Sequence, residues 1–493
     1  MAEEAPSVVD PPERRRRAGR VAAHHRDTAI TVAGSFAVQL VALISGVLVA
    51  RLLGVENRGR AALLVLVALV IAQLGTLGLP LALTYWIARD PAVERPLVAS
   101  LRRVFLGQIA VGAAIQCAVL YLVVGLGVAA FWIAGLVSVL AMPGLFAVQY
   151  SLALLQAQGR FRAFSAVRLL APCVYSLGLV VVAVIGRGGL VAIMAIWVGS
   201  AALTGATGLI LTLGRRPGAS GREPESRAPG MRPMLSFGLR GFLGSISPLD
   251  AFQLDQAIVG LFVSPAALGV YVVGVGFANL PRFAAQSIGI VAYPHIAGKG
   301  GAAGVRRETW RFVALTLLVC GPIVAVLEIA MPTIVPLLFG HAFDAATGLA
   351  RILLLAALLV GLRRVMSDCA RGGGHPTLGT AAEVVATAAL PVGAGLLAGD
   401  GARGVSWALV ASGALGLAVL MVGFLATPDR PPPPPLPPPD GGPPPQAHPP
   451  PSLEDPAALV AFGHAGGGRG AASAGAGRAP DGNDRLDDGP GAS

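Results

Sequence analysis

The sequence has few charged residues for its length and almost no lysine. Of its 493 residues, 13% are charged, whereas globular domains average about 25%. The single lysine is Lys299. Apolar residues make up 54% of the chain and recur in runs of about 20, long enough to cross a bilayer as helices. The runs show no alternation with period two, so no strands are expected. We therefore predict an all-α, polytopic membrane protein.

The sequence also lacks the patterns of common catalytic and metal sites. Its four cysteines are far apart and lie in or beside apolar runs, which argues against a disulfide framework or a metal site. There is no phosphate-binding loop and no nucleophile elbow. We therefore predict that the protein is not an enzyme, holds no metal and uses no cofactor. The cysteines are Cys117, Cys173, Cys320 and Cys369.

The net charge of +11 comes from arginines that flank the apolar runs. This placement follows the positive-inside rule and argues against nucleic acid as a partner. Arg14 to Arg17 precede a first run that begins near Thr28 and is too long for a signal peptide. We therefore predict a multi-pass protein of the cytoplasmic (inner) membrane with both termini in the cytoplasm. The arginines assigned to the opposite side are Arg51, Arg58, Arg60, Arg187 and Arg403.

About twelve apolar segments predict as many transmembrane helices, and the longest loop divides them into two groups of six. The predicted units are a polar cytoplasmic N-terminal arm (1–27), an N-terminal six-helix bundle (28–213), a cytoplasmic linker (214–235), a C-terminal six-helix bundle (236–427) and a Pro/Gly-rich tail (428–493). The predicted spans are 29–50, 60–86, 103–126, 130–155, 165–185, 189–213, 236–262, 267–293, 311–330, 347–369, 377–398 and 404–426.

The tail differs abruptly from the rest of the chain. Its stretch PPPPPLPPPDGGPPP cannot form a helix, because proline has no backbone N–H and clashes with the preceding turn. We expect an extended, polyproline-like segment followed by a disordered Gly/Ala/Asp-rich end. Such a tail can bind an SH3-like partner, but an unstructured cytoplasmic tail is the favoured interpretation, and no tail partner is assigned.

Ionisable groups lie inside the seventh and eighth spans, where they are costly and rarely idle. Arg240 and Asp255 share a stripe of small and polar residues along the seventh span. Asn279, Arg282 and Gln286 share a stripe along the eighth. A proline inside each span predicts a kink, which is tolerated at membrane depth where it lines a cavity. The two spans together predict a polar path through a transporter.

Milder candidates lie in other spans. Gln39 and Gln73 lie on polar faces of the first and second spans and could contact sugar hydroxyls, although helix packing explains them equally well. Glu383 in the eleventh span is a candidate cation or proton site. Arg364 is spaced to pair with Asp368 at i,i+4, which favours a structural role.

Four stretches carry a family resemblance: 50–89 (ARLLGVENRGRAALLVLVALVIAQLGTLGLPLALTYWIAR), 154–170 (LLQAQGRFRAFSAVRLL), 254–297 (beginning LDQAIVGLFVSPAALGVYVVG) and 335–376 (beginning VPLLFGHAF). They resemble polysaccharide biosynthesis flippases, the O-antigen-type transporters of the multidrug/oligosaccharidyl-lipid/polysaccharide exporter superfamily. The resemblance covers most of 28–426. It implies two six-helix bundles around a central cavity, with alternating access that moves a lipid-linked glycan across the cytoplasmic membrane.

With such a substrate, the charged residues acquire expected roles. Arginine presents a planar fork of donors that matches phosphate oxygens, so Arg282 and Arg240 would hold the diphosphate headgroup. Asp255 or Asp250 would neutralise the empty site or bind a coupling cation. The alternative is that Arg282 pairs with Asp255 or Asp250 only to hold the helices together. The expected partners are a lipid-linked oligosaccharide, membrane lipids and polysaccharide-assembly proteins.

Three other functions compete with this hypothesis. A proton- or sodium-coupled exporter of drugs or metabolites would need uncompensated acidic groups in the cavity, whereas an anionic headgroup needs arginine. A membrane glycosyltransferase or polymerase would need a sizeable extracytoplasmic loop, and none is predicted. A scaffold that recruits partners through its tail would not need twelve spans with charges at membrane depth.

Overall fold

A computed structural model describes residues 12–124, 129–186, 188–213, 230–245, 252–297 and 302–426. In these ranges every long element is an α-helix and no strand occurs. Asp250, the predicted tail and most of the predicted linker lie outside the described residues. The prediction of an all-α membrane protein is confirmed.

Fourteen helices form the described part of the chain. The first seven are α1 (Pro12–Gly75), α2 (Leu79–Arg89), α3 (Glu94–Val124), α4 (Ala129–Val139), α5 (Met142–Ala157), α6 (Phe161–Ile185) and α7 (Leu190–Leu213). The others are α8 (Met231–Ser245), α9 (Leu254–Phe262), α10 (Pro265–Ala297), α11 (Ala302–Phe339), α12 (Ala345–Gly372), α13 (Pro376–Leu396) and α14 (Gly401–Ala426).

In the described ranges, ten helical segments are long and apolar enough to cross a membrane. Two features reconcile this number with the twelve predicted spans. The first two predicted spans are joined in α1, which kinks at Gly54 with φ 70° and ψ −178°. This backbone conformation favours glycine, which has no Cβ. The seventh predicted span is divided between α8 and α9.

Two predicted boundaries differ from the observed helices. No span was predicted over 331–346, between the ninth and tenth spans, yet α11 continues to Phe339, with Pro332 and Pro336 inside the helix. Backbone groups need partners within the chain at membrane depth, which favours continued helix over an open loop. At the other end of the chain, α1 begins at Pro12, inside the segment expected to be a polar arm.

Helices α1–α7, here called the first bundle, and α8–α14, here called the second bundle, meet along a shared apolar core. Helix α1 packs along α10, and α2 contacts α8. The largest core cluster draws Leu64 and Met194 from the first bundle and Val259, Tyr271 and Leu390 from the second. Burial of this surface stabilises the bundles together and leaves the polar stripes of α1, α9 and α10 facing one central space.

Candidate functional site

A central cavity with two adjoining chambers lies between the bundles. The first, here the N chamber, has a volume of about 390 Å³ and is lined largely by α1, α6, α7 and α10. The second, the C chamber, has a volume of about 360 Å³ and is lined largely by α9, α10 and α12. The chambers are continuous because they share lining residues. The shared residues are Gln39, Gln253, Gln256, Val275 and Asn279.

The break in the seventh predicted span lies at the wall of this cavity. Gln253 precedes α9 in the left-handed conformation, with φ 45° and ψ 51°. A residue other than glycine pays a conformational cost there, and such costs concentrate at functional sites. The break places Gln253 and Gln256 on both chambers, where two amide side chains can both donate and accept hydrogen bonds.

The C chamber is lined by two arginines and one aspartate. Arg282 comes from α10 and Arg364 from α12. Asp255, 5% exposed, accepts a hydrogen bond from the Tyr271 hydroxyl at 2.9 Å. The Nε atom of Arg282 is buried and has no hydrogen-bond partner among the described residues. This chamber therefore has more positive than negative charge and can take up an anion.

The N chamber contains a third arginine, Arg58. Its Nε atom is also buried and has no hydrogen-bond partner within the described residues. Tyr175 from α6 and Trp197 from α7 form part of the same wall, and both are half-buried. Nearby, the hydroxyl oxygens of Ser45 and Ser176 lie 2.5 Å apart and share a hydrogen bond between α1 and α6. The chamber thus combines one cation with aromatic rings and hydroxyl groups.

The structure places the sequence-predicted residues in different surroundings. Asn279, Arg282 and Gln286 line the C chamber as one stripe of α10, and Asp255 joins them from α9. Gln39 lies where the chambers meet.

Other candidates lie away from the cavity or outside the described part of the chain. Gln73 is not among the residues that line either chamber. Arg240 belongs to α8, but its side chain is outside the described part of the molecule, as is Asp250.

Glu383 already has a cationic partner. It accepts a hydrogen bond from Nη1 of Arg363, which is 4% exposed and lies between α12, α13 and α14. Gly416 of α14 lies against the Cδ atom of Arg363 and leaves room for its stem. Glu383 does not line either chamber. Its contacts are therefore those of a buried ion pair that joins the helices of the second bundle.

Sequence reasoning missed several residues of the cavity wall. Arg58 was assigned to an external turn, because the second span was placed from residue 60 onward. In α1 it belongs to a stripe with Ala61, Ala62, Val65 and Leu69 that faces the N chamber. If the second predicted span had been extended from residue 60 back to Gly54, Arg58 would have fallen on the same helical face as Ala61, Ala62 and Val65.

Arg364 was expected to be structural, as the partner of Asp368. It lies near enough to interact electrostatically with Asp368 and also lines the C chamber. Asp368 has a second partner in Arg371, with Oδ1 and Nη1 3.4 Å apart. The i,i+4 spacing therefore predicted the interaction of Arg364 with Asp368 but not its position in the wall of the C chamber.

Two close contacts join the bundles near opposite ends of the part of α1 that follows the Gly54 kink. At one end, Gly59 lies against the carbonyl oxygen of Pro265, and Gly269 lies against that of Val55; a methyl group on either glycine would overlap the oxygen. We call this the Gly59 contact. Arg51 extends it across the bundles, donating through Nε to the Leu338 carbonyl at 2.6 Å and through Nη2 to the Leu337 carbonyl at 2.5 Å.

The second contact, the Gly238 contact, joins α2 to α8. The rings of Tyr85 and Phe237 stack with centroids 4.5 Å apart. A methyl group on Gly238 would lie 2.8 Å from the Gly78 carbonyl oxygen. Gly59 lies about 24 Å along α1 from Gly75, the last residue of α1 before Gly78, at 1.5 Å per residue.

The fold is similar to those of several solved membrane transporters. The fold resembles that of the lipid II flippase MurJ in an inward closed conformation, with a TM-score of 0.64, 12% identity, and coverage of 81% of this chain and 88% of that one. It also resembles that of an inward-facing multidrug resistance transporter of the MATE family, within the MOP superfamily, with a TM-score of 0.59, 16% identity, and coverage of 79% of this chain and 93% of that one. For the eukaryotic MATE transporter AtDTX14, the TM-score is 0.55 and the identity 19%, with coverage of 83% of this chain and 96% of that one. The chain therefore has the fold of MOP-superfamily transporters.

The sequence comparison identifies the family of the chain. Residues 48–347 match the family described as polysaccharide biosynthesis protein. None of the curated protein sequences matches the chain. Because the family match spans more than half of the chain, this protein belongs to the polysaccharide biosynthesis protein family.

Proposed function

We propose that this protein is a flippase that moves a polyprenyl-diphosphate-linked oligosaccharide across the cytoplasmic membrane by alternating access, for the synthesis of a cell-surface polysaccharide. The observation that carries the proposal is the charge of the cavity. Its lining contains Arg58, Arg282 and Arg364 but a single acidic residue, Asp255. Membership of the polysaccharide biosynthesis protein family supports a role in polysaccharide synthesis.

The arginines suit a diphosphate because their guanidinium groups form paired, charge-assisted hydrogen bonds with phosphate oxygens. Arg282 and Arg364 reach the C chamber from different helices, α10 and α12. A diphosphate between them would bridge these helices. Asp255 is tied to Tyr271 at 2.9 Å, so its charge is already partly compensated by a hydrogen bond. In this proposal, Asp255 orients the site and limits how tightly an anion is held.

The size and chemistry of the cavity suit the glycan. Each chamber lies within the range of about 300–1,000 Å³ that is typical of small-molecule sites. The shared wall offers amide side chains from Gln39, Gln253, Gln256 and Asn279. Amides both donate and accept hydrogen bonds, as sugar hydroxyls do. The polyprenyl chain would remain in the lipid.

Alternating access requires that the two bundle contacts open in turn. With a cytoplasmic N-terminus, the Gly59 contact closes the cavity toward the outside and the Gly238 contact closes it toward the cytoplasm. Both are centred on close backbone packing at a glycine. Substrate binding would supply the differential energy that shifts the population between the two openings.

The orientation can be tested with cysteines in a background lacking the four native ones. His341, whose side chain is 90% exposed, lies just beyond α11 at the Gly59 end of the molecule. His341→Cys should react with an impermeant maleimide in intact cells. The control, exposed Arg95→Cys on α3, should react only after permeabilisation. The reverse pattern would invert the proposed topology.

The function itself is tested by reconstitution. Proteoliposomes that contain the protein and a fluorescent prenyl-diphosphate oligosaccharide should expose the lipid on the opposite leaflet, as measured by accessibility to a membrane-impermeant reagent. Arg282→Gln should abolish this flipping because the anion loses a charge-assisted contact at membrane depth. The variant should also fail to restore surface polysaccharide in cells that lack the gene.

A matched control is Arg351→Gln. Arg351 is also an arginine of α12, but its side chain is 55% exposed and it pairs with Glu328 at 2.7 Å, away from the cavity lining. This variant should retain flipping. The proposal would be wrong if wild-type protein moved no diphosphate-linked glycan, or if both arginine variants behaved alike.

The competing function is a cation-coupled exporter of drugs or metabolites. The specific observation in its favour is the fold, which the chain shares with multidrug transporters. The cavity argues for an anionic substrate, because a cationic drug would meet three arginines and one hydrogen-bonded aspartate. Transport of a cationic dye that depends on a proton or sodium gradient and on Asp255 would favour the exporter.

A further inference from the structure

We propose that Arg58 forms a second anion subsite, distinct from the diphosphate subsite, and that it recognises a carboxylate on the glycan, so that the preferred cargo contains an acidic sugar. This inference rests on the proposed function. It concerns the N chamber, whereas the diphosphate is assigned to Arg282 and Arg364 in the C chamber. The two subsites would bind the two ends of one substrate, the acidic sugar and the diphosphate.

The first support is the charge of Arg58. Its Nε atom is buried without a hydrogen-bond partner, and no ion pair joins it to an acidic residue anywhere in the described ranges. A Cβ atom added to Gly46 would lie 4.0 Å from Nη2, so Gly46 borders the guanidinium without crowding it. A half-buried cation without a counter-charge loses part of its hydration, and an anionic ligand offsets that cost.

The second support is the wall around Arg58. Tyr175 and Trp197 line the same chamber and are half-buried, so part of each ring faces the space. Aromatic side chains offer a flat apolar surface together with a polar group, and both features match a sugar ring. A diphosphate would gain little from such walls. The combination of one cation with aromatic rings therefore fits a sugar that carries a carboxylate.

The third support is the connection between the chambers. Gln39, Gln253, Gln256 and Asn279 line both of them and provide neutral amide groups between the two cationic regions. Neutral hydroxyl-bearing sugars fit this middle section. A substrate with negative charge only at the diphosphate would leave the Arg58 end uncompensated.

The test uses two prenyl-diphosphate disaccharides that differ only in the terminal sugar, glucuronic acid or glucose. Wild-type protein in proteoliposomes should flip the glucuronic lipid faster at limiting substrate. Arg58→Gln should remove about ten- to a hundredfold of that preference, the range expected for one hydrogen bond to a charged group. It should slow the glucose lipid less than the glucuronic lipid. Arg58→Lys should keep part of the preference, whereas Arg282→Gln should lose both substrates.

The outcomes separate this inference from the proposed function. If wild-type protein flips neither lipid, the proposed function is wrong. If it flips both at equal rates, only the acidic-sugar inference is wrong. If Arg58→Gln slows both lipids equally, Arg58 acts on the diphosphate instead.

Binding provides a readout that is independent of transport. Trp197 lines the chamber, so the glucuronic lipid should change tryptophan fluorescence in detergent more strongly than the glucose lipid does. This difference should disappear in Trp197→Phe and in Arg58→Gln. An equal response to both lipids in wild-type protein would contradict the inference, and a monodisperse elution profile for each variant shows that the protein is folded.

Discussion

The central cavity and the Arg363–Glu383 pair are both charged regions within apolar helices, and they differ in charge balance. In the pair, one guanidinium meets one carboxylate and the groups are packed between three helices. In the cavity, three arginines accompany one aspartate. A buried Nε atom without a hydrogen-bond partner among the described residues occurs in Arg58, Arg282 and Arg363 alike, so the difference lies in the number of acidic partners.

We interpret this difference as one between charged residues that hold helices together and charged residues that bind a ligand. A buried pair compensates itself, so removing one member exposes the other to an apolar environment. An arginine that lines a cavity can be compensated by an anionic ligand. Variants of the pair should therefore change stability, and variants of the cavity should change transport.

The largest effect on stability is expected for Glu383→Gln. The variant leaves Arg363 buried without its carboxylate, and losing one partner of a buried pair costs about 3–5 kcal/mol. Thermal unfolding in detergent should shift to a clearly lower temperature, whereas Arg282→Gln should unfold close to wild type.

A double variant sharpens this comparison. Arg363→Met combined with Glu383→Leu removes both charges, and replacing a whole buried pair with apolar residues is often neutral or stabilising. Its unfolding temperature should recover. If the double variant is stable but inactive, Glu383 has a role in transport, and the distinction between the two regions fails.

A large effect on transport, with little on stability, is expected for Gly59→Leu. The added side chain would overlap the Pro265 carbonyl oxygen and prevent the Gly59 contact from forming. Flipping should stop, and a reporter cysteine at Gln256 in the cavity should become accessible to an impermeant maleimide from outside. The matched control is Gly107→Leu in α3, where an added Cβ meets no atom within 4 Å. Equal labelling in both variants would show that the Gly59 contact does not close the cavity.

A smaller effect in the same direction is expected for Arg51→Gln. The variant loses hydrogen bonds to the Leu337 and Leu338 carbonyls at the end of α11 but keeps the glycine packing. Labelling at Gln256 should rise by less than in Gly59→Leu, and flipping should slow without stopping. Unchanged labelling would show that the hydrogen bonds of Arg51 do not help to hold the Gly59 contact closed.

The smallest effect is expected from deleting residues 428–493. The Pro-rich composition argues against packing onto the helices, and the family match ends at residue 347. Flipping and surface polysaccharide should stay near wild-type levels. Loss of polysaccharide in cells with normal flipping in proteoliposomes would identify the tail as a docking segment for assembly proteins.

The residue order along the chain was enough to predict the helices and one face of the cavity. Apolar runs of bilayer length require helices, because a helix pairs its backbone groups internally. Asn279, Arg282 and Gln286 lie on one line of α10 because the helical repeat brings residues three and four apart together. That local geometry does not depend on how the bundles pack.

Packing between helices that are distant in sequence determined which residues face the polar stripe of α10. Arg58 faces the N chamber because α1 kinks at Gly54 instead of ending there, and Tyr175 and Trp197 meet it from α6 and α7. Glu383 meets Arg363 because α13 packs against α12. Each of these contacts joins residues far apart in sequence, and helical periodicity carries no information about which helix lies across the gap. The cavity's net charge, and with it the proposed cargo, depends on that arrangement.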